Sequence, residues 1–221
     1  MKGRNAKTKE QRIMEAAEQV FSRKGYREAT LDEIIRIADT GKGTVYKYYK
    51  NKATLFYTLV KEKNAPFVKE LQSIEKADLL FTEKLKNYYL TVLRFVERNY
   101  VIWQVLLFEI TAGTNGWRLV RHENDDGYDV DVRWGDMPSE EQINFIKKYY
   151  EIFLSELVVL EDIIAEGVKN KTIKPSNDLR AMTANIYFGL IMMAFQHTDK
   201  KVKLEDLVDM LVDRFMNGYK I

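Results

Sequence analysis

Eight consecutive residues, Lys42-Gly43-Thr44-Val45-Tyr46-Lys47-Tyr48-Tyr49, bring two ammonium groups, a hydroxyl and three phenols together on one short stretch. Read as a helix, Val45 and Tyr49 lie four apart and anchor it, which turns Lys42, Thr44, Tyr46 and Lys47 outward. Cations and hydroxyls so placed suit phosphate oxygens and the edges of bases, and Gly43 lets another backbone come close. Tyr48 and Tyr49 can equally serve as core, and Lys47 as a solvated lysine.

The elements around this stretch must hold it in place. Ile13, Ala16, Ala17, Val20 and Phe21 follow helical spacing, and Gly25 offers a left-handed stop with Tyr26 packing back on Phe21. Thr30 is a candidate N-cap for a second helix, with Glu33 completing a capping box and Leu31, Ile34, Ile35 and Ala38 as its inner stripe. A break at Asp39-Thr40-Gly41 leads into the helix 42–49. Asn51 then caps a fourth helix carrying Leu55, Phe56, Leu59 and Val60 inward, which Pro66 should kink or interrupt. Two short helices joined by a three-residue turn define a helix-turn-helix. Thr30 and Lys52 sit at helix starts, where free N–H groups attract phosphate. Lys2, Arg4, Lys7, Lys9 and Arg12 could form a basic arm.

Charge is uneven along the chain. Residues 1–63 carry 15 Lys and Arg against 8 Asp and Glu, while the remaining residues hold 20 against 25. A basic first third on an acidic remainder suits a polyanionic partner for one part only; uneven solvation of two faces is the bland alternative. There is no cysteine among the 221 residues, which excludes disulfides, thiolate zinc sites and cysteine nucleophiles. The polar, basic N-terminus lacks the apolar segment of a signal peptide, and the apolar runs are too short to span a bilayer, so a cytoplasmic protein without membrane contact is expected.

Further helices are expected at roughly 80–98, 100–112, 139–170, 177–197 and 203–219. The segment 113–136 differs: Tyr128, Val130, Val132 and Trp134 alternate with Asp129, Asp131 and Arg133, so a hairpin insertion and a disordered acidic loop both fit. The fold expected is all-α, with a three-helix helix-turn-helix domain at 1–51 and a larger helical domain at 52–221.

The stretch 12–60, RIMEAAEQVFSRKGYREATLDEIIRIADTGKGTVYKYYKNKATLFYTLV, closely resembles the TetR (tetracycline-repressor) family of bacterial regulators. Ile13, Ala16, Ala17, Phe21, Gly25, Tyr26, Thr30, Ile34, Gly43, Thr44, Val45, Tyr46, Lys52 and Leu55 match its pattern in register. Departures are Asp39 in place of the usual turn glycine, Gly41 in place of the usual serine cap, and Ile35 in place of an alanine. The resemblance implies that Thr30, Thr44, Tyr46 and Lys52 grip phosphates, while Lys42, Lys47 and Tyr48 meet bases of double-stranded DNA.

The resemblance also implies a homodimer formed through the last two helices. Ala181, Ala184, Phe188 and Met192 on one side of helix 177–197, with Leu207, Leu211 and Phe215 on the last helix, are candidates for that interface; a central core helix in a monomer is the alternative. A pocket for a small hydrophobic effector is expected among the central helices, with Trp103, Leu107, Phe108, Tyr149, Tyr150, Phe153, Tyr187 and Ile191 as candidate lining or, more plainly, as core. By resemblance the protein is a repressor, and the effector favours a state whose recognition helices no longer fit one operator. An architectural or partner-adaptor protein on the same fold, without an effector, is the alternative. Catalysis finds little support: only His122 and His197 are present, and Glu109, His122 and Glu123 as metal ligands would flank a flexible segment. No cofactor or metal is expected.

Overall fold

A computed structural model describes residues 7–113, 116–122, 127–196 and 202–219. Lys2, Arg4, Glu123 and His197, and residues 124–126 of the segment 113–136, lie outside them. The elements run α1 (Lys9–Glu28), α2 (Leu31–Ile37), α3 (Lys42–Tyr49), α4 (Lys52–Lys76), α5 (Phe81–Arg98), α6 (Tyr100–Gly113), β1 (Trp117–Arg121), β2 (Tyr128–Val132), α7 (Glu140–Lys169), α8 (Leu179–Gln196) and α9 (Leu204–Tyr219). The architecture is all-α with one small hairpin. No helix among the described residues is long and apolar enough to cross a membrane.

The chain forms two compact units, Met1–Lys63 with Val101–Tyr149 and Asn64–Tyr100 with Tyr150–Ile221. In the first, Ile13, Ala17, Val20 and Phe21 of α1 are fully buried with Ile34, Val45, Leu55 and Phe56. Phe21 and Phe56 meet edge to face at 4.8 Å. Thr8 closes a capping box with Gln11 at the start of α1. Gly25, at φ 73°, breaks that helix, and Tyr26 stacks back on Phe21 at 6.1 Å. The hairpin belongs to this unit: Trp117 pairs with Val132 and Arg121 with Tyr128 in an antiparallel register. Gly116, at φ 78°, closes it, because a Cβ there would lie 2.0 Å from the Trp134 carbonyl oxygen. Of the two readings of 113–136, the alternating pattern of its second half therefore describes the backbone.

In the second unit, α5 packs on both α8 and α9. Tyr88, Leu85, Leu93, Ile163, Ile164 and Val208 are fully buried, and Phe67 stacks on Phe95 at 3.8 Å. Gly167 of α7 lets the Phe81 ring lie directly on the helix backbone. The buried Lys84 ammonium donates to the Glu75 carbonyl at 2.8 Å and to Glu166 at 2.7 Å.

Pro66 does not interrupt α4, which runs unbroken from Lys52 to Lys76. Pro66 is exposed, so the carbonyl it leaves without an N–H partner can turn to water, and the missing bond is tolerated.

Candidate DNA-reading surface and buried polar node

The geometry of α3 follows from its two ends and two anchors. Val45 is 0% and Tyr49 3% exposed, whereas Tyr46 and Tyr48 are 42% and 48% exposed. Lys42, Gly43 and Lys47 are exposed and Thr44 is half-buried. Six of the eight residues thus form a surface that is cationic and phenolic. The turn before it uses Asp39 at φ 49°, a left-handed position that Asp accepts better than most side chains. Arg12 reaches across from α1 and donates to the Asp39 carbonyl at 3.0 Å, which steadies the turn. Gly41 is the N-cap and supplies no side-chain acceptor. The first N–H groups of α3 therefore keep their capacity for an anion.

Neighbouring charges set which cations are available. Lys42 lies 3.2 Å from Asp32, and this hydrogen-bonded pairing pushes the Lys42 ammonium above its ordinary range. Thr30 caps α2 by accepting from the Glu33 N–H at 3.3 Å. The reciprocal half of the expected box is not made. Glu33 pairs instead with Arg23 and, at 2.6 Å, with Lys24, and these cations hold its carboxyl below the usual range. Lys52 donates to the carbonyls of Arg27 and Ala29, both at 2.9 Å, and sits 4.7 Å over the Tyr26 ring. Two of its three protons are thus committed to the end of α1 rather than turned outward. Asn51 caps α4 through the Thr54 N–H at 2.8 Å.

The candidate pocket residues divide between the units. In the first, Trp103 and Tyr149 are buried, Leu107 is half-buried and Phe108 is 58% exposed. Phe108 borders a surface cleft of about 430 Å³ with Tyr26, Arg27, Gln104 and Glu109. Tyr149 borders another of about 460 Å³ with Thr54, Tyr57, Asn144, Phe145 and Lys148. Phe153, Tyr187 and Ile191 are buried in the second unit, with Phe153 and Tyr187 rings 6.4 Å apart; Tyr150 is half-buried there. These three surround a feature that the sequence reading overlooked. Glu156 is 0% exposed; Tyr187 donates its hydroxyl to the Glu156 carboxyl, Tyr88 donates to the Glu156 backbone carbonyl at 2.9 Å, and Asn64 hydrogen-bonds the same carboxyl. Burial pushes the Glu156 carboxyl well above the usual carboxylate range and so favours its neutral form. Its Oε1 and the Asn64 Oδ1 are buried without a hydrogen-bond partner. The signal was present in the sequence: Ile152, Phe153, Glu156, Leu160 and Ile163 share one helical stripe, and only Glu156 is ionisable.

On α8, Met182, Thr183, Tyr187, Leu190, Ile191 and Ala194 are buried. Ala181, Phe188 and Met192 are exposed on the opposite side, and Ala184 is half-buried. On α9, Leu207 and Leu211 are half-buried, but Phe215 turns inward to within 6.3 Å of the Phe81 ring. Phe215 is therefore part of this unit's own core. No group of three or more His, Asp or Glu side chains that could hold a metal ion occurs among the described residues.

A short helix with an exposed cationic and phenolic face, held behind a capped turn, defines a helix-turn-helix DNA-binding regulator. Residues 13–58 match the family model described as bacterial regulatory proteins, tetR family. The N-terminal helix-turn-helix, α1 to the first turns of α4, carries that family's pattern. It is 25% identical over 209 residues to the fatty acid metabolism regulator protein of Bacillus subtilis, covering 93% of each chain. It is 33% identical over 96 residues to the HTH-type transcriptional regulator YhgD of the same organism, 38% of this chain and 50% of that one. The fold matches FadR of Bacillus subtilis, solved with stearoyl-CoA, with a TM-score of 0.68, 23% identity and coverage of 94% and 97%. The fatty acid degradation regulator FadR of Bacillus halodurans matches with a TM-score of 0.68 at 22% identity, again covering 94% and 97%.

Proposed function

We propose that this regulator is a cytoplasmic homodimeric repressor of a palindromic operator, released by a small hydrophobic effector of the long-chain acyl class. Residues 1–51 read DNA, and residues 52–221 dimerise and bind the effector. The observation that carries the reading is α3 itself: Lys42, Thr44, Tyr46, Lys47 and Tyr48 stand around a helix pinned by Val45 and Tyr49. Thr44 and Tyr46 are suited to phosphates, Lys42 and Lys47 to base edges. A palindrome needs two such helices. The exposed Phe188 and Met192 of α8, with Met210 of α9, 40% exposed, support a second copy as the partner that brings the other one. The acyl class of effector is supported by the likeness to a fatty acid metabolism regulator and to the stearoyl-CoA complex.

The test is selection of bound duplexes from random DNA, followed by mobility-shift titration with and without stearoyl-CoA. A two-fold palindrome whose binding stearoyl-CoA weakens is the expected result. Loss of palindromic selection, or unchanged duplex binding after Lys42, Tyr46 and Lys47 are all replaced by Ala, overturns the DNA-reading assignment. Unchanged binding with every long-chain acyl compound overturns the effector class.

A further inference from the structure

We propose that the cleft between the tail of α1 and α6 is a binding site for an organic cation, an amidinium or ammonium on a flat apolar body, and that the cation displaces the Arg27 side chain from Glu109. The site is separate from that of the acyl effector and does not depend on it.

The cleft lies within the first unit and measures about 430 Å³. Glu109 lines it and is 8% exposed. A carboxylate so far buried calls for close cationic partners. Among the described residues it has one ion pair, and that is a loose one. Arg27 reaches it through Nε alone, at 3.4 Å, where a well-made charge-assisted bond is about 2.8 Å and a guanidinium usually offers two donors. The Arg27 side chain is 61% exposed, so water competes for it and the pair is easily exchanged.

An aromatic face completes the site. Phe108 is 58% exposed and lines the same cleft. The Arg27 guanidinium lies over its ring, 5.7 Å from the centroid. A cation held over an aromatic face beside a carboxylate is the arrangement that recognises organic cations, and the chain's own guanidinium marks where such a charge sits. Val105 and the half-buried Tyr26 also line the cleft and give a flat body apolar surface to lie on.

The remaining charges favour exchange. Lys24 pairs with Glu33 at 2.6 Å, and Lys52 is committed to two carbonyls. Arg27 is thus left to balance both Glu109 and the exposed Glu28, which lines the cleft as well. An anion is repelled there, and a neutral molecule leaves Glu109 as it was. An amidinium presents two parallel N–H donors to both carboxylate oxygens, a pairing that Arg27 does not make.

Benzamidine and benzamide test the assignment, because they share a shape and differ in charge. Dissociation constants are measured by calorimetry at pH 7 on the full chain, wild type and the variants Glu109→Gln, Phe108→Leu and Arg27→Gln. Wild type should prefer benzamidine by about tenfold, the scale of one charge-assisted hydrogen bond. Glu109→Gln should abolish that preference, and Phe108→Leu should weaken benzamidine by about threefold. Arg27→Gln should tighten benzamidine by about three- to fivefold, since it removes the competing cation of an exposed ion pair. An Arg27 that merely braces the two helices predicts no such gain. Thermal melts without ligand identify any variant that fails to fold, and Arg27→Gln, altered at a largely exposed side chain, then carries the comparison with wild type. Equal affinity of wild type for the two compounds, a preference that survives in Glu109→Gln, or benzamidine binding no tighter in Arg27→Gln overturns the proposal.

Discussion

Replacing Tyr49 by Phe should make the protein more stable without touching DNA recognition. Tyr49 is 3% exposed and pins α3, yet its hydroxyl is buried without a partner. The ring supplies the packing and the hydroxyl only a desolvation penalty, for which removal of a buried unpaired polar group sets a scale of about 1 kcal/mol. For a chain of this size that corresponds to a rise in Tm of about 2–4 °C. The alkaline limb offers a second readout. Burial first, then Glu10, Glu62 and Tyr48, pushes the Tyr49 phenol up from 10.0 to about 12. Its folded pKa is above the unfolded one, so its contribution is fully present below pH 10 and is lost as pH rises towards 12. Melting curves of wild type and Tyr49→Phe at pH 7 and across pH 9.5–11.5 should therefore diverge further with pH, the wild type losing more. A variant that melts lower at pH 7, or parallel losses with pH, would refute the reasoning by showing that the hydroxyl is satisfied.

Three further outcomes follow from particular contacts. Gly167→Ala places a Cβ 2.6 Å from the Phe81 ring; overpacking of about 1–3 kcal/mol outweighs a helix-propensity gain of roughly 1 kcal/mol, so Tm should fall, and should fall less than additively when Phe81→Leu is combined with it. A Gly167→Ala Tm at or above wild type would contradict this. Asp32→Asn frees Lys42 from its ion pair and should tighten duplex binding with a steeper dependence on salt, measured by titration at several ionic strengths; unchanged affinity and slope would remove Lys42 from the DNA contacts. Lys52→Met strips the Arg27 and Ala29 carbonyls of their donor and should cost about 1–3 kcal/mol in urea unfolding, whereas a wild-type midpoint would show that water replaces the ammonium.

Local rules carried most of the fold. Thr30 and Asn51 cap the helices they precede, Gly25 breaks α1 at a positive φ, and Asp39 takes the turn position that glycine usually holds. Each depends on neighbours within a few residues, which is the range a sequence displays. Partners distant in the chain were not legible. Glu33 forgoes its local box because Arg23 and Lys24 approach from another helix. Phe215 fits an outward stripe equally well until Phe81 gives it an inward neighbour. Pro66 reads as a break, but a solvent-facing position removes most of the reason for one. The polar node escaped for a different reason. An acid on an apolar stripe is visible, but its raised pKa comes from burial by elements distant in the chain, against which the Asn64 hydrogen bond works.

The tether from Lys52 to the last carbonyls of α1 has a mechanical meaning. A single ammonium, cushioned on the Tyr26 ring, rivets the head of α4 to the tail of the helix that braces the turn before α3 through Arg12. A tug on α4 is therefore felt first at the tail of α1, on the far side of the Gly25 break from Arg12.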